Sequence, residues 1–321
     1  MPTTTTITSP TYAGEFAGKY ISAALLSGST IANGGIEVLP NIKFKQVINR
    51  INTDAIVANA TCDFSATSTV TIAEKIITPE EFQVNLQLCK KDFHQTWMAI
   101  QQGYSAFDSL PPTFADYLIS HVAAKVAEKI ENNIWKGVTA NAGEFDGFTA
   151  LLTADAGLPS TQEVAATSTN ITAASTVVAE LGKLVDAIPA ALYGKEDLYL
   201  YISQATARAY VRALGGFGAS GLGANGTNAM GTQWYNNGSL SFDGIKIFVA
   251  NGLAPTVAIA AQKSNLYFGT GLLNDQNEVQ VIDMSPVDGS QNVRVVMRFT
   301  AAVQYGNVSD ITTYGITNAA N

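Results

Sequence analysis

The chain has 321 residues, 47% of them hydrophobic and only 14% charged, with a formal net charge of −8. Its length allows roughly two domains with sizeable cores. It has no apolar run near the ~20 residues that span a bilayer, and its acidic balance and lack of a basic cluster argue against direct nucleic-acid binding, which needs Lys and Arg to neutralise phosphates. So low a charged fraction, against the usual ~25%, leaves surface for partners to cover, or a neutral surface rich in Ser, Thr, Asn and Gly.

Met1 to Thr6 has neither a basic nor an apolar region and does not read as a signal peptide. Residues 1–35 form a Thr/Ser/Gly/Ala-rich arm, with Tyr12, Phe16, Tyr20, Ile21, Leu25 and Leu26 as a weak helical face. Such an arm is either disordered or tied down by neighbours. Ile42 to Leu88 reads as a long extended arm folded around a small, polar tip, Ala58 to Ser68. In its first half Ile42 and Phe44 alternate, although Val47, Ile48 and Ile51 would also suit a short helix. In its second half Phe82, Val84, Leu86 and Leu88 alternate strictly with polar residues, the period of a half-buried strand. Two arms of about 15 residues would reach ~50 Å. A hairpin that long is marginal by itself and needs something to lie on, for which a second copy of the chain is a natural candidate. Lys43, Lys45 and Arg50 lie on the first half; Glu74, Glu80 and Glu81 lie on the second, with Lys75 as the exception. These charges either pair across the hairpin or between subunits, or are solvated faces worth ~0–1 kcal/mol per pair.

Residues 93–107 have the spacing of a short amphipathic helix. The strongest helix runs from Thr113 to Lys136. Pro111 and Pro112 precede it, Thr113 and Asp116 make a capping-box-like start, and Gly137 is its expected C-cap. Phe114, Leu118, Val122, Val126, Ile130 and Ile134 form its stripe, with Lys125, Glu128, Lys129 and Glu131 on the remaining face. At about 1.5 Å per residue it is ~35 Å long. Residues 163–170 are a linker. A second amphipathic helix is expected from Ile171 through Ile188, stopped by Pro189. A buried strand at Leu198–Ile202 and a short helix at Ala205–Leu214 lead to a glycine-rich loop over Gly215–Gly231. Strands are then expected at Ile245–Val249, Thr256–Ala261, Leu266–Phe268, Val279–Ile282 and Val293–Phe299. Helices and strands mix without strict βαβ alternation, which makes the class α+β.

No constellation for chemistry stands out. Gly216 to Gly221 and Gly221 to Gly226 both match GxGxxG, but a helix precedes the loop where a dinucleotide site needs a strand. His94 and His121 have no ligand spacing around them and read as packed or boundary histidines. Cys62 and Cys89 form no CxxC, so structural zinc is not expected. No GxSxG and no acid/base carboxylate pair occurs. No catalytic residue, cofactor or metal is expected.

The order of these parts resembles the HK97-type major capsid protein of tailed bacteriophages. The resemblance is one of layout over most of the chain, with no single diagnostic motif. It implies an HK97-like α+β capsid fold: an N-terminal arm over 1–35, an E-loop hairpin over 43–81, and a peripheral domain over 36–42 and 82–170 with a spine helix at 113–136. An axial domain over 171–272 and a return to peripheral strands over 273–321 complete it. It implies a virion shell subunit, assembled in the host cytoplasm into hexamers and pentamers around DNA that it does not grip strongly, with no membrane and no enzymatic activity. Inter-subunit contacts are expected from Lys43, Lys45, Arg50, Phe64, Glu74, Glu80 and Glu81, and around the capsomer ring from Phe217, Leu222 and Met230. The chain begins at Met1 without the founding member's scaffolding segment, which implies a separate scaffold protein beside portal and decoration proteins. The tip contains no Lys, so a Lys–Asn cross-link from it is not expected. The alternatives are an encapsulin-like compartment of the same fold, a β-rich surface or receptor-binding protein, and, third, an enzyme.

Overall fold

A computed structural model of the chain describes residues 29–42, 44–53, 57, 59, 60, 62, 66, 69–89, 112–166, 170–214, 240–271 and 280–319. The helix expected over 93–107, the glycine-rich loop, His94, Lys43, Phe64, Phe217, Leu222 and Met230 lie outside the described residues.

The described chain opens with α1 (Ser29–Ala32), β1 (Glu37–Leu39) and a hairpin of β2 (Gln46–Thr53) and β3 (Val70–Ile77). β4 (Glu80–Cys89) is followed by the long helix α2 (Pro112–Lys136), α3 (Phe148–Ala154) and β5 (Glu163–Val164). Then come α4 (Val177–Asp186), β6 (Leu198–Ile202), α5 (Gln204–Leu214), β7 (Ser241–Phe242), β8 (Ile245–Val249) and β9 (Ala258–Gln262). The chain closes with β10 (Leu266–Gly269), β11 (Gln280–Asp283), α6 (Ser285–Asp288), β12 (Asn292–Tyr305) and β13 (Ile311–Tyr314).

Three sheets form among the described residues. A six-stranded sheet runs β5-β13-β9-β6-β8-β7, a five-stranded sheet runs β1-β10-β12-β11 with β4 also on β12, and β2 and β3 pair alone. The six-stranded sheet is buried on both faces. Tyr201, Ile259, Ala261 and Ile311 enter one core with α2, while Leu198, Leu200, Ile202, Ala258 and Ala260 enter a second with α4 and α5. This explains why Leu198–Ile202 carries no polar alternation: a strand covered on both sides has no solvent face. The sheet is shared by the two cores, so neither core closes without it.

Helix α2 begins within a residue of the expected start. Val122, Val126, Ile130 and Ile134 are buried along it, as the four-residue spacing requires. Trp135 is wholly buried, with ring centroids 5.5 Å from Phe148 and 5.2 Å from Tyr201. Glu131 departs from expectation. It is 1% exposed instead of lying on the charged face, because Thr30 reaches it from α1. Gly137 does end the helix, but not through a left-handed conformation. A Cβ there would lie 2.3 Å from the Phe145 carbonyl oxygen, so the returning chain requires the glycine.

Other boundaries shift for tertiary reasons. The second amphipathic helix starts at Val177; Ile171 stands in a short 3-10 turn, yet is fully buried in the same core. The strand expected from Thr256 starts at Ala258. The strand expected at Val293–Phe299 continues to Tyr305. Its alternation stops at Ala301, Ala302 and Val303, which are consecutively buried: Ala301 and Val303 face the large core, and Ala302 faces the hairpin's base.

The largest correction concerns the arm. Phe82 to Leu88 is a half-buried strand as its alternation demands, but it is not part of the hairpin. β4 pairs with β12, placing Phe82, Val84, Leu86 and Leu88 opposite Phe299, Met297, Val295 and Val293. The described hairpin ladder spans eight register pairs from Gln46↔Ile77 to Thr53↔Val70, or ~27 Å at about 3.4 Å per residue.

Candidate assembly surfaces

The hairpin's register divides its residues between two faces, since side chains alternate and register partners share a side. One face carries Gln46 and Ile77, Ile48 and Lys75, Arg50 and Ala73. The other carries Val47 and Ile76, Asn49 and Glu74, Ile51 and Ile72, then Val70. On this second face the five aliphatic residues are all exposed: Val47 46%, Ile51 68%, Val70 61%, Ile72 63% and Ile76 47%. Five large aliphatics in solvent on one face of a two-stranded ladder is an unsatisfied arrangement, because among the described residues nothing covers it and no third strand joins the ladder.

The base of the same hairpin is held firmly. Ile77 is 1% exposed and packs with Ile42 and Ala302. Gly269 lies beneath them, where a Cβ would sit 2.6 Å from Ile77 and 2.8 Å from Ile42, so only glycine lets the hairpin seat this closely. Lys75 donates to Asp155 at 2.6 Å, Tyr305 donates its hydroxyl to the same Asp155 oxygen at 2.7 Å, and the Lys75 ammonium lies 5.1 Å from the Tyr305 ring centroid. Burial alone would raise the Asp155 pKa, but the hydrogen bonds from Lys75, Tyr305 and the Gly157 N–H outweigh it and hold the carboxyl below its ordinary value. Burial, and then the neighbouring Asp155, push the Tyr305 hydroxyl far above the usual tyrosine range. The Gln304 amide adds a hydrogen bond to the Ile76 carbonyl. The hairpin is therefore clamped at one end and projects its aliphatic face.

A second clamp fixes the chain where it leaves residues 1–28. The Thr30 N–H donates to one Glu131 oxygen at 3.0 Å, the Thr30 hydroxyl donates to the other at 2.5 Å, and the Trp135 ring N–H donates to that hydroxyl at 2.8 Å. Burial raises the Glu131 pKa; the hydrogen bonds from Thr30 and Gly252 reverse only part of that rise.

Of the expected contact residues, Arg50 and Glu74 lie on the hairpin strands and Lys45 just before β2; Lys75, not among them, follows Glu74 on β3. Lys45 is exposed, 5.5 Å from the ring centroid of its neighbour Phe44, itself 76% exposed. Arg50 and Glu74 do not pair across the ladder. Their partners are Ala73 and Asn49, so they project from opposite faces. Glu80 and Glu81 leave the arm altogether and start β4, opposite Ala301 and Thr300. Asp155, Tyr305, Ala302 and Gly269 carry no signal in the sequence, because they meet the hairpin only through contacts spanning 80 or more residues. The aliphatic stripe does have a signal: Val70, Ile72 and Ile76 alternate, as do Val47 and Ile51, and only the register is needed to put them on one face.

Among the described residues no group of three His, Cys, Asp or Glu side chains could hold a metal, no helix is long and apolar enough to cross a membrane, and Cys62 and Cys89 are free. His121 is half-buried on α2, as a boundary histidine would be.

The chain has an α+β fold of the HK97-like kind seen in phage capsid chains, which it matches over nearly its whole length. It is similar to the capsid chain of a native GTA particle, with 15% identity and a TM-score of 0.59 over 96% of this chain and 95% of that one. It is also similar to a chain of Mycobacterium phage Adephagia (16% identity, TM-score 0.56, covering 98% and 95%) and to one from the capsid of the cyanophage P-SCSP1u (12% identity, TM-score 0.55, covering 96% and 94%). No protein-family model matches the chain, and no curated protein matches it.

Proposed function

We propose that the chain is the major capsid protein of a tailed bacteriophage or related particle, whose copies form the hexamers and pentamers of an icosahedral shell around DNA. The observation that carries this reading is the full-length likeness to phage and GTA capsid chains, reaching 94–98% of both partners. The hairpin supports it physically, since an anchored arm with five exposed aliphatics on one face is suited to lie on a second copy. In this reading residues 43–81 are the E-loop, with its ladder between 46 and 77. Residues 36–42 and 82–170 make the peripheral domain with the spine helix 113–136, 171–272 the axial domain, 273–321 the return, and 1–35 the arm.

Lys43, Lys45, Arg50, Phe64 and Glu74 are assigned to contacts between copies along the E-loop, Glu80 and Glu81 to contacts at its root, and Phe217, Leu222 and Met230 to contacts around the capsomer axis. The role is structural and not catalytic. A separate scaffold protein, a portal and decoration proteins complete the particle, which is assembled in the host cytoplasm. The DNA is enclosed without strong binding by the subunit, whose net charge of −8 disfavours phosphate. Resemblance to phage and GTA capsids favours a capsid over an encapsulin-like compartment, and the long core helix disfavours a β-rich surface protein.

Electron microscopy of the purified protein, alone and with a candidate scaffold, tests the reading. Closed shells of regular size are expected. Protein that stays monomeric under every assembly condition, scaffold included, would overturn it.

A further inference from the structure

A groove of about 1210 Å³ lies between α5 and the edge of the six-stranded sheet formed by β7 and β8. Its volume exceeds the ~300–1,000 Å³ of a small-molecule site. The charged side chains along it are Arg208, Arg212 and Lys246, all exposed, and no carboxylate is among its described lining residues. Arg208 and Arg212 stand one turn apart on α5, so both side chains look the same way. Among the described residues none of the three makes a salt bridge. Apolar side chains, Val211, Leu240 and Phe248, stand among these cations, beside polar ones such as Gln204 and Ser241.

Three like charges along one groove of a chain with net charge −8 are a local inversion of the molecule's balance. The adjoining stretches of this chain do not neutralise them. Residues 215–239, which join α5 to Leu240, contain no Asp or Glu. Residues 1–28, which lead into Ser29 at the groove, contain one carboxylate, Glu15, against one ammonium, Lys19. The sheet is also open here. β7 pairs only with Ile245 and Lys246, and the Ile247 N–H donates to the Leu240 carbonyl; Phe248 and Val249 continue with no strand beside them on that edge among the described residues. An exposed edge accepts an extended peptide by main-chain pairing.

We infer that this groove docks an acidic, extended segment of another protein chain along the β8 edge, its carboxylates meeting Arg208 and Arg212 on the α5 side of the sheet and Lys246 on the other, with apolar side chains against Val211, Leu240 and Phe248. A nucleic acid fits less well: it could meet the cations, but it has no backbone to pair with the sheet edge, and its dense charge is repelled by the rest of the molecule. The groove's chemistry stands whether or not the chain builds a shell.

Fluorescence anisotropy with the full chain tests this. The probes are a labelled short peptide alternating Glu and Leu, its Gln/Leu counterpart, and an oligothymidylate of equal charge, all at low ionic strength. The Glu/Leu peptide should bind roughly tenfold more tightly than the Gln/Leu peptide, the scale expected of a few exposed ion pairs. Arg208→Gln, Arg212→Gln and Lys246→Gln together should remove that difference with little change in melting temperature, since all three side chains are exposed. Arg212→Gln alone should remove part of it, which keeps the test valid if the triple variant misfolds. Equal binding of the two peptides, no peptide binding, or peptide binding untouched by the substitutions overturns the inference. Oligothymidylate binding that the substitutions abolish while peptide binding persists overturns it in favour of a nucleic-acid ligand.

Discussion

Replacing Ile51 and Ile72 by threonine tests whether the hairpin's aliphatic face is an interface. The two residues are register partners, 68% and 63% exposed, at the centre of the stripe. Threonine keeps the β-branch and so the strand preference. Each change removes one carbon and turns another into a hydroxyl, about 1.6 kcal/mol for full burial at ~0.8 kcal/mol per carbon. Scaled by two-thirds exposure, each costs about 1 kcal/mol when the face is covered, or about 2 kcal/mol per subunit. That is a roughly 30-fold change in the equilibrium constant per subunit. The free subunit should lose little, since surface changes fall within about 0.5 kcal/mol each. Light scattering against protein concentration, with negative-stain microscopy of the products, should show the assembly threshold rise by more than tenfold while the subunit's thermal unfolding hardly moves. An unchanged threshold would mean the stripe faces solvent in the assembled state. A subunit that no longer folds would mean the stripe belongs to its own core.

Val126→Asp puts an unpaired charge at a site 9% exposed inside the large core and should cost ~3–5 kcal/mol, leaving little soluble folded subunit by circular dichroism. Gly252→Ala should destabilise strongly, because a Cβ there would lie 2.1 Å from the Glu131 carbonyl oxygen, hard against the backbone of α2; urea unfolding measures it. Asp155 has a depressed pKa, so the stability it adds is present above its unfolded value of about 3.9 and fades as pH falls below that. Asp155→Asn should therefore be less stable than the native chain at pH 6, with the gap narrowing toward pH 3, when melting temperatures are compared. Glu131 has a raised pKa and works in the opposite sense: its burial favours the native state most at low pH and less as pH rises through its folded pKa. Glu131→Gln should flatten the fall of stability as pH rises above the ordinary Glu value of about 4.3.

Elements whose pattern is a property of consecutive residues are legible in the sequence. Val122, Val126, Ile130 and Ile134 define α2 by their own spacing, and the alternation from Phe82 to Leu88 defines β4. The step from β4's alternation to membership of the arm fails, because alternation says that a strand has two faces and not which strand it pairs with. Only the ladder to Asn292–Ala301 decides that. Charge patterns fail for the same reason. Arg50 and Glu74 look complementary along the chain, but the register sends them to opposite faces, and Lys75, the residue that breaks the pattern, holds the hairpin to Asp155.

Local period, capping and composition are enough to set the α+β class, the long helix, the doubly buried strand Leu198–Ile202 and the shortage of charge. They do not set where the hairpin is clamped, which of its faces is left uncovered, why Glu131 is buried or which cations share a groove. The clamp and the burial of Glu131 depend on residues 80 to 150 positions apart meeting, as Lys75 meets Asp155, Thr30 meets Glu131 and Asp155 meets Tyr305, and the groove depends on α5 meeting β8. No local periodicity encodes such a meeting; it follows only when both cores have closed on the sheet they share.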